Sequence, residues 1–342
     1  MTMPRRTFLG ITAITALAIA SLALADPRRI LLPPDAAAPT ASGHLPDLER
    51  AIRALRIGGS SQHGGLTVFW LTSVVPPSPL TVETLEDARA EGSLAITERP
   101  APTVPELIVD NRGKSYVLLL AGEILVGGKQ NRVLREDILL PPLSGARAIG
   151  VYCVEQGRWN EGRRDFEGKQ SFADPNLRRK VYDKVDQQTV WSAVRGFNAG
   201  VMAASPTQSY QQALEAPSVR EQMGAAERVL DVKAAPDAVG AAVFVGGTLS
   251  GIDVFGSPGL FAQQWTKLLR AHAAGAYVTT PSASASEPKL RATLQGLLGA
   301  AASAPGSVRG NAGVGQVFEF AVERYRGAAL SYEGGIVHAA IL

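Results

Sequence analysis

Residues Lys114–Trp159 read KSYVLLLAGEILVGGKQNRVLREDILLPPLSGARAIGVYCVEQGRW, and their patterning decides the fold. Long β-type apolar runs are separated by polar residues gathered in two places. One is Gly122-Glu123 with Gly127-Gly128-Lys129-Gln130-Asn131-Arg132. The other is Cys153-Val154-Glu155-Gln156-Gly157-Arg158-Trp159. The runs predict strands over Ser115–Val126, Gln130–Leu140 and Ala148–Glu155. Upstream, Leu94–Thr97 and Glu106–Asp110 predict two more, with Asn111-Arg112-Gly113 as the turn before Ser115. Short connections between successive strands favour antiparallel pairing, because a parallel neighbour needs a long crossover. The middle of the chain is therefore expected to be an antiparallel meander or barrel-like sheet.

Further out, Leu66–Thr72 predicts a strand. Asp47 is placed to cap a helix closed by Gly58-Gly59, and Thr81 a helix followed by Gly92. The second half is helix-rich. Asp174-Pro175, Ser205-Pro206, Ser218-Val219-Arg220-Glu221 and Ser257-Pro258 all carry helix-start signals. Leu290, Leu294, Leu297 and Leu298 predict a short helix ended by Gly299. Two or three C-terminal strands are expected over Val317–Arg324, Ala328–Tyr332 and Ile336–Leu342, with Arg326-Gly327 turning the first pair. Strands gathered in the middle and helices after them indicate an α+β fold.

The chain has 342 residues, 46% apolar and 19% charged, with a formal net charge of +3. Such a chain builds a large core, and the small charge excludes a general polyanion field, so no nucleic-acid partner is expected. Pro4-Arg5-Arg6-Thr7-Phe8-Leu9-Gly10 precedes the apolar run Ile11–Ala25, the pattern of a twin-arginine signal peptide. Ala23-Leu24-Ala25 supplies a small-x-small cleavage site. The expected organisation is a signal at 1–25, a Pro/Ala-rich linker at 26–43 and a single domain at 44–342. The expected partner is the twin-arginine export machinery and the expected location is periplasmic or secreted. No membrane span is expected after cleavage. Twin-arginine export can carry a folded protein with its cofactor, but no cofactor is specified by these residues. The single cysteine, Cys153, excludes an intrachain disulfide. The four histidines lack HxH or HExxH spacing, so no metal site is expected.

Each polar cluster carries two readings. Alternation ends an apolar strand face at Glu123, where burial raises a carboxylate toward general acid or base use; the plainer reading pairs it with Lys129 or Arg132. Gly127-Gly128 followed by Lys129, Gln130 and Arg132 reads as an anion loop or as a hairpin with solvated charges. It lacks the spacing of a phosphate-binding GxxxxGK[ST] loop. Cys153 shares a strand face with Glu155 and is either a thiolate nucleophile or a small buried side chain. Glu155 and Arg158 read as a salt bridge with Trp159 as an aromatic lid, or Trp159 as core. Arg163-Arg164 and Arg178-Arg179-Lys180 are expected on solvated faces.

GEILVGGKQNRVLREDILLPP, VYCVEQGRW, the Trp191-bearing helix and GIDVFGSPGLFAQQWTKLL together resemble a family named the ARG and rhodanese-phosphatase superfamily-associated protein domain, ARG denoting ADP-ribosylglycohydrolase. The resemblance covers roughly residues 46–272. It implies a genomic association with ADP-ribose and phosphate-ester chemistry, not an activity. It also implies one site made of Glu123, Lys129, Gln130, Arg132, Cys153, Glu155, Arg158 and Trp159. The functional expectation is an exported domain binding a small phosphate-, nucleotide- or ADP-ribose-like anion. Lys129, Gln130, Arg132, Arg158 and Trp159 would hold it, and a hydrolytic form would use Glu123, Cys153 and Glu155. The alternative expectation is a non-catalytic envelope scaffold.

Overall fold

The computed structural model describes residues 41–43, 45–99, 105–159, 164–279 and 285–342. The expected signal peptide and nearly all of the expected linker lie outside the described residues. So do Arg163 and the first half of the Pro281–Pro288 connector.

The chain runs β1 (Ala41–Gly43), α1 (Pro46–Ala54), β2 (Leu55–His63), β3 (Leu66–Ser73), β4 (Val82–Thr84), α2 (Leu85–Ala90), β5 (Leu94–Glu98) and β6 (Glu106–Asn111). Then come β7 (Tyr116–Leu119), β8 (Glu123–Gly127), β9 (Arg132–Leu134), β10 (Ile138–Leu140), β11 (Gly145–Cys153) and β12 (Phe166–Phe172). Helices follow: α3 (Pro175–Tyr182), α4 (Gln187–Gly200), α5 (Tyr210–Leu214) and α6 (Pro217–Val229). The hairpin β13 (Ala238–Val245) and β14 (Thr248–Phe255) precedes α7 (Pro258–Val278) and α8 (Glu287–Ala302). The chain closes with β15 (Gly306–Arg309), β16 (Gln316–Val322), β17 (Tyr325–Tyr332) and β18 (Gly335–Ile341).

These strands form an α+β fold. A nine-stranded sheet has the order β1-β15-β16-β17-β18-β14-β13-β3-β2, and all of its pairs are antiparallel. A six-stranded antiparallel sheet, β12-β8-β9-β11-β6-β5, curls into a half-barrel whose edges meet at a bridge between Thr97 and Asp165. A small sheet, β10-β7-β4, contains a parallel pair, β4 with β7. Leu107, Val109, Leu125, Leu134, Ile149, Val151 and Phe166 fill the half-barrel. α7 lays Leu260, Phe261, Trp265, Leu268 and Leu269 against the large sheet. Each such side chain contributes about 1.5–3 kcal/mol of transfer free energy. Ser257 accepts from the Leu260 N–H and Pro258 fills the first helical position, so this helix begins where its sequence directs.

Several elements differ from expectation for physical reasons. Ser115–Val126 is two strands, because Gly122 turns the chain at φ 104°, where a Cβ would lie 2.8 Å from Phe172. Gln130–Leu140 is likewise split into β9 and β10. Asn111-Arg112-Gly113 is an Asx turn, closed by the Gly113 N–H donating to Asn111 Oδ1 at 3.0 Å. It joins strands of different sheets, not a hairpin. Gly58-Gly59 lies inside β2 at a register shift, and α1 begins after Leu45 without a side-chain cap. The cap of α2 is Thr84, not Thr81, and that of α5 is Ser209. α6 starts at Pro217 without the expected capping box. α8 runs through Gly299 to Ala302. Glu323, at φ 52°, turns β16 into β17 in place of Arg326-Gly327. Strands β1, β2, β4, β12 and β15 were not expected; they are short, polar or glycine-containing.

Candidate functional site

The two polar segments meet. Antiparallel pairing of β11 with β9 sets Cys153 opposite Arg132, which brings the loop after β8 beside the loop after β11. Gly128 lets the loop after β8 pack against β12: at φ 49° a Cβ there would lie 2.1 Å from the Phe166 ring. Arg158 then ties the loops together. Its Nη1 and Nη2 donate to the Gly128 and Gly127 carbonyls, both at 3.0 Å, and Nη2 also reaches Asn131 Oδ1 at 2.9 Å. Its Nε donates to Glu155 Oε2 at 2.8 Å. The other Glu155 oxygen accepts from Thr207 Oγ1 at 2.9 Å. Gln130 Nε2 donates to the Glu155 carbonyl at 2.9 Å, which fixes its amide oxygen toward Cys153. The Cys153 thiol donates to that oxygen at 3.2 Å.

Beneath the loops, Arg132 is 1% exposed and faces Glu98 at 3.6 Å. Its Nε has no hydrogen-bond partner among the described residues. Glu98 also accepts from the Lys129 N–H at 2.9 Å. Burial pushes the Cys153 thiol up to about 11, and nearby Arg132 only partly offsets this. The resting thiol is therefore protonated, opposite to the state a nucleophile needs.

At the surface of the loops, half-buried Lys129 meets Trp159, beside exposed Gln156 and Gly157. The Lys129 ammonium sits 4.6 Å from the centroid of the Trp159 ring, which is half exposed. An ammonium over an indole face is a cation–π pair, and it leaves an aromatic plane and a positive charge side by side at the surface.

Glu123 stands apart from this cluster. It begins β8 while Gly127 ends it, roughly 13 Å away at about 3.3 Å per residue. It pairs with neither Lys129 nor Arg132 but with Lys267 of α7, through a short contact to Oε1. Oε2 accepts from the Leu120 N–H at 2.9 Å. Lys267 also contacts Glu86 Oε2 at 3.0 Å. Burial pushes Glu123 up to about 7, and Lys267 only partly opposes this because its one ammonium serves two carboxylates. Burial alone would lower Lys267; Glu123 and Glu86 more than reverse that and hold it protonated.

A second buried chain of charges has no counterpart in the expectations. Asp137 Oδ2 meets His338 Nδ1 at 2.6 Å, and His338 Nε2 meets Asp253 Oδ1 at 3.1 Å. Arg178 closes on Asp253 with two hydrogen bonds and donates from Nε to the Ala121 carbonyl at 3.1 Å. The Ala121 N–H donates to Asp137 Oδ1 at 2.8 Å. Arg178 was expected on a solvated face but is 2% exposed, while Arg179 and Lys180 remain half-buried. The signal was available: Arg178 adjoins Leu177 and Val181 on one stripe, and Asp253 and His338 are the one titratable residue in each of their strands. Burial would lower His338, yet Asp137 and Asp253 hold it up at about 9. Burial would raise Asp253, but Arg178 and His338 hold it well below the usual carboxylate range.

Among the described residues no group of three or more His, Cys, Asp or Glu is arranged to hold a metal. No described helix is long and apolar enough to cross a membrane. A groove of about 1060 Å³ runs between the Val75–Leu80 segment and the β17–β18 turn, away from both loops.

A search of curated proteins and a search of solved structures each find no match. A family model matches residues 54–342, which extends the resemblance through the C-terminal strands. With two loops joined by Arg158 and that match spanning most of the chain, the protein belongs to the ARPP-1 family, the ARG and Rhodanese-Phosphatase-superfamily-associated Protein domain.

Proposed function

We propose that this is a binding domain for a small anion that also carries an aromatic ring, of the nucleotide or ADP-ribose type. The observation that carries the reading is the Lys129 ammonium 4.6 Å from the ring of half-exposed Trp159. Lys129 would meet a phosphate while the exposed part of the indole stacks the ring, each a recurrent mode for such ligands. The loops beneath are held by their own hydrogen bonds, so the platform is preorganised and little ordering opposes binding. Arg132, Gln130, Glu155 and Arg158 position the platform in this reading; they do not touch the ligand. Glu123, Cys153 and Glu155 are buried, which favours binding over hydrolysis. We also propose that the Arg5-Arg6 segment directs export, which places the binding site outside the cytoplasm.

A thermal-shift series with ADP-ribose, AMP, ribose 5-phosphate and inorganic phosphate tests the reading. A ligand at 100 times its Kd adds about 2.7 kcal/mol. Stabilisation by ADP-ribose or AMP that is lost in Lys129→Ala supports it. Equal stabilisation in parent and variant refutes it. The second reading, an envelope interaction protein, is favoured by the 1060 Å³ groove beside exposed Val74 and Val75.

A further inference from the structure

A different region carries an independent inference. β12 breaks register against β8 between Gly168 and Phe172, and Gln170 within that break adopts a left-handed φ of 52°. A residue with a Cβ is strained there, and this segment borders a pocket of about 360 Å³ shared with α5, α6 and α7. That volume suits a compact small molecule.

The pocket's chemistry is specific. Phe172, Leu214, Met223 and Ala271 supply apolar surface. Arg270 is fixed in the wall: it pairs with Glu227 through two contacts and donates to Gln170 Oε1 at 3.2 Å. Lys169 and Arg220 line the opening, are exposed, and form no ion pair among the described residues. Gln211 also lines the pocket and is 7% exposed. Its Nε2 donates to Glu215 Oε1 at 2.8 Å. A carboxylate only accepts, so this bond fixes the amide orientation, and Gln211 Oε1 is left buried without a partner. A buried acceptor without a donor is costly; Oε1 is closed to solvent as it stands, so a ligand hydroxyl removes that cost only when the Gln211 amide turns into the pocket.

We propose that this pocket is a second ligand site, for a monosaccharide-sized polyol carrying one anionic group. Lys169 and Arg220 meet the anion, Gln211 accepts from a hydroxyl, and Phe172 and Met223 cover the apolar face of the ring. A sugar phosphate and a sugar acid share this chemistry. The site does not rest on the Lys129–Trp159 platform.

Calorimetric titration of the full chain with glucose 6-phosphate, glucuronate, glucose and inorganic phosphate tests it. At least one charged sugar should bind, at least tenfold more tightly than glucose or phosphate, and which one binds names the anionic group. The double variant Lys169→Ala, Arg220→Ala should weaken that binding at least tenfold. Both side chains are exposed, so the fold should be kept, which an unchanged urea midpoint verifies. Gln211→Leu should weaken charged sugars and leave phosphate unaffected. Lys129→Ala should leave sugar binding unchanged, so failure of the nucleotide reading and failure of this one are separable. The proposal is overturned if neither charged sugar binds, if phosphate or glucose binds as tightly, or if the double variant binds like the parent.

Discussion

Arg178 grips Asp253 with both arms of its guanidinium, Nη1 at 3.0 Å and Nη2 at 2.6 Å, in a site where both side chains are 5% exposed or less. The pair joins α3 to the centre of the nine-stranded sheet. Through His338 it continues to Asp137, which caps the Ala121 N–H at the turn between β7 and β8. One ionic chain thus holds the half-barrel, the large sheet and the helical layer in a fixed relation.

Removing one member leaves an uncompensated buried charge. Asp253→Asn is expected to destabilise the protein by about 3–5 kcal/mol, since the Arg178 charge keeps its desolvation cost and loses its partner. Urea denaturation measures this as a lower midpoint at an unchanged slope. A loss below about 1 kcal/mol would show that the chain is ornamental to stability.

His338 gives the stability a pH dependence. Its folded value, about 9, lies above the ordinary 6.5, so the folded state holds the proton more tightly. The stabilisation is complete below about 6.5 and disappears as pH rises through 9. Its upper bound is about 3 kcal/mol. Glu123, raised from 4.5 to about 7, adds a loss of the same sign at lower pH. The urea midpoint is therefore expected to fall from pH 5 to pH 9, and His338→Gln should flatten the upper part. A midpoint that rises across this range contradicts the assignment.

Lys267 stands between Glu123 and Glu86. Lys267→Met leaves two carboxylates facing each other across a buried space and should cost about 3–5 kcal/mol. Adding Glu123→Gln should restore a large part of that loss, because the remaining carboxylate no longer meets a buried neighbour of like charge. A double-mutant cycle reads the coupling, and strictly additive losses would dissolve the pair.

Cys153 is fully buried, with its thiol held at about 11. A disulfide reagent at pH 8 should label it only as fast as the protein opens, and fully in 6 M guanidinium. Cys153→Ala should leave the fold intact at a cost of about 1 kcal/mol, the loss of one modest hydrogen bond and a little buried volume. Rapid labelling of the native protein would return the thiol to the list of nucleophiles.

The half-barrel was legible as far as β5, β6, β8, β9 and β11, which lie in apolar runs with short connections that favour antiparallel neighbours; β7 and β10, from the same runs, pair in the small sheet instead. The meeting of GGKQNR with VEQGRW was legible as a resemblance, and its geometry follows from the register of Cys153 opposite Arg132. The partner of Glu123 was not legible: Lys267 lies 144 residues away, on a helix face that otherwise reads as core. Arg178 was misread for a related reason. A basic run looks solvated in sequence, and only the approach of Asp253 makes burial of one arginine tolerable. β2 and β12 escaped because glycine and polar residues mask the period of two, which the sheet tolerates by shifting register at both.

In the proposed function Trp159 and Lys129 form a ligand platform. Of the four tryptophans, Trp159 is half exposed, whereas Trp70 and Trp265 are buried. Titrating the protein with ADP-ribose while following tryptophan fluorescence tests it most directly, with Trp159→Phe and Lys129→Ala as paired variants. Saturable quenching should vanish in Trp159→Phe and shift to at least tenfold higher ligand concentration in Lys129→Ala. Quenching that survives unchanged in both variants, or no saturable change up to millimolar ADP-ribose and AMP, would contradict it.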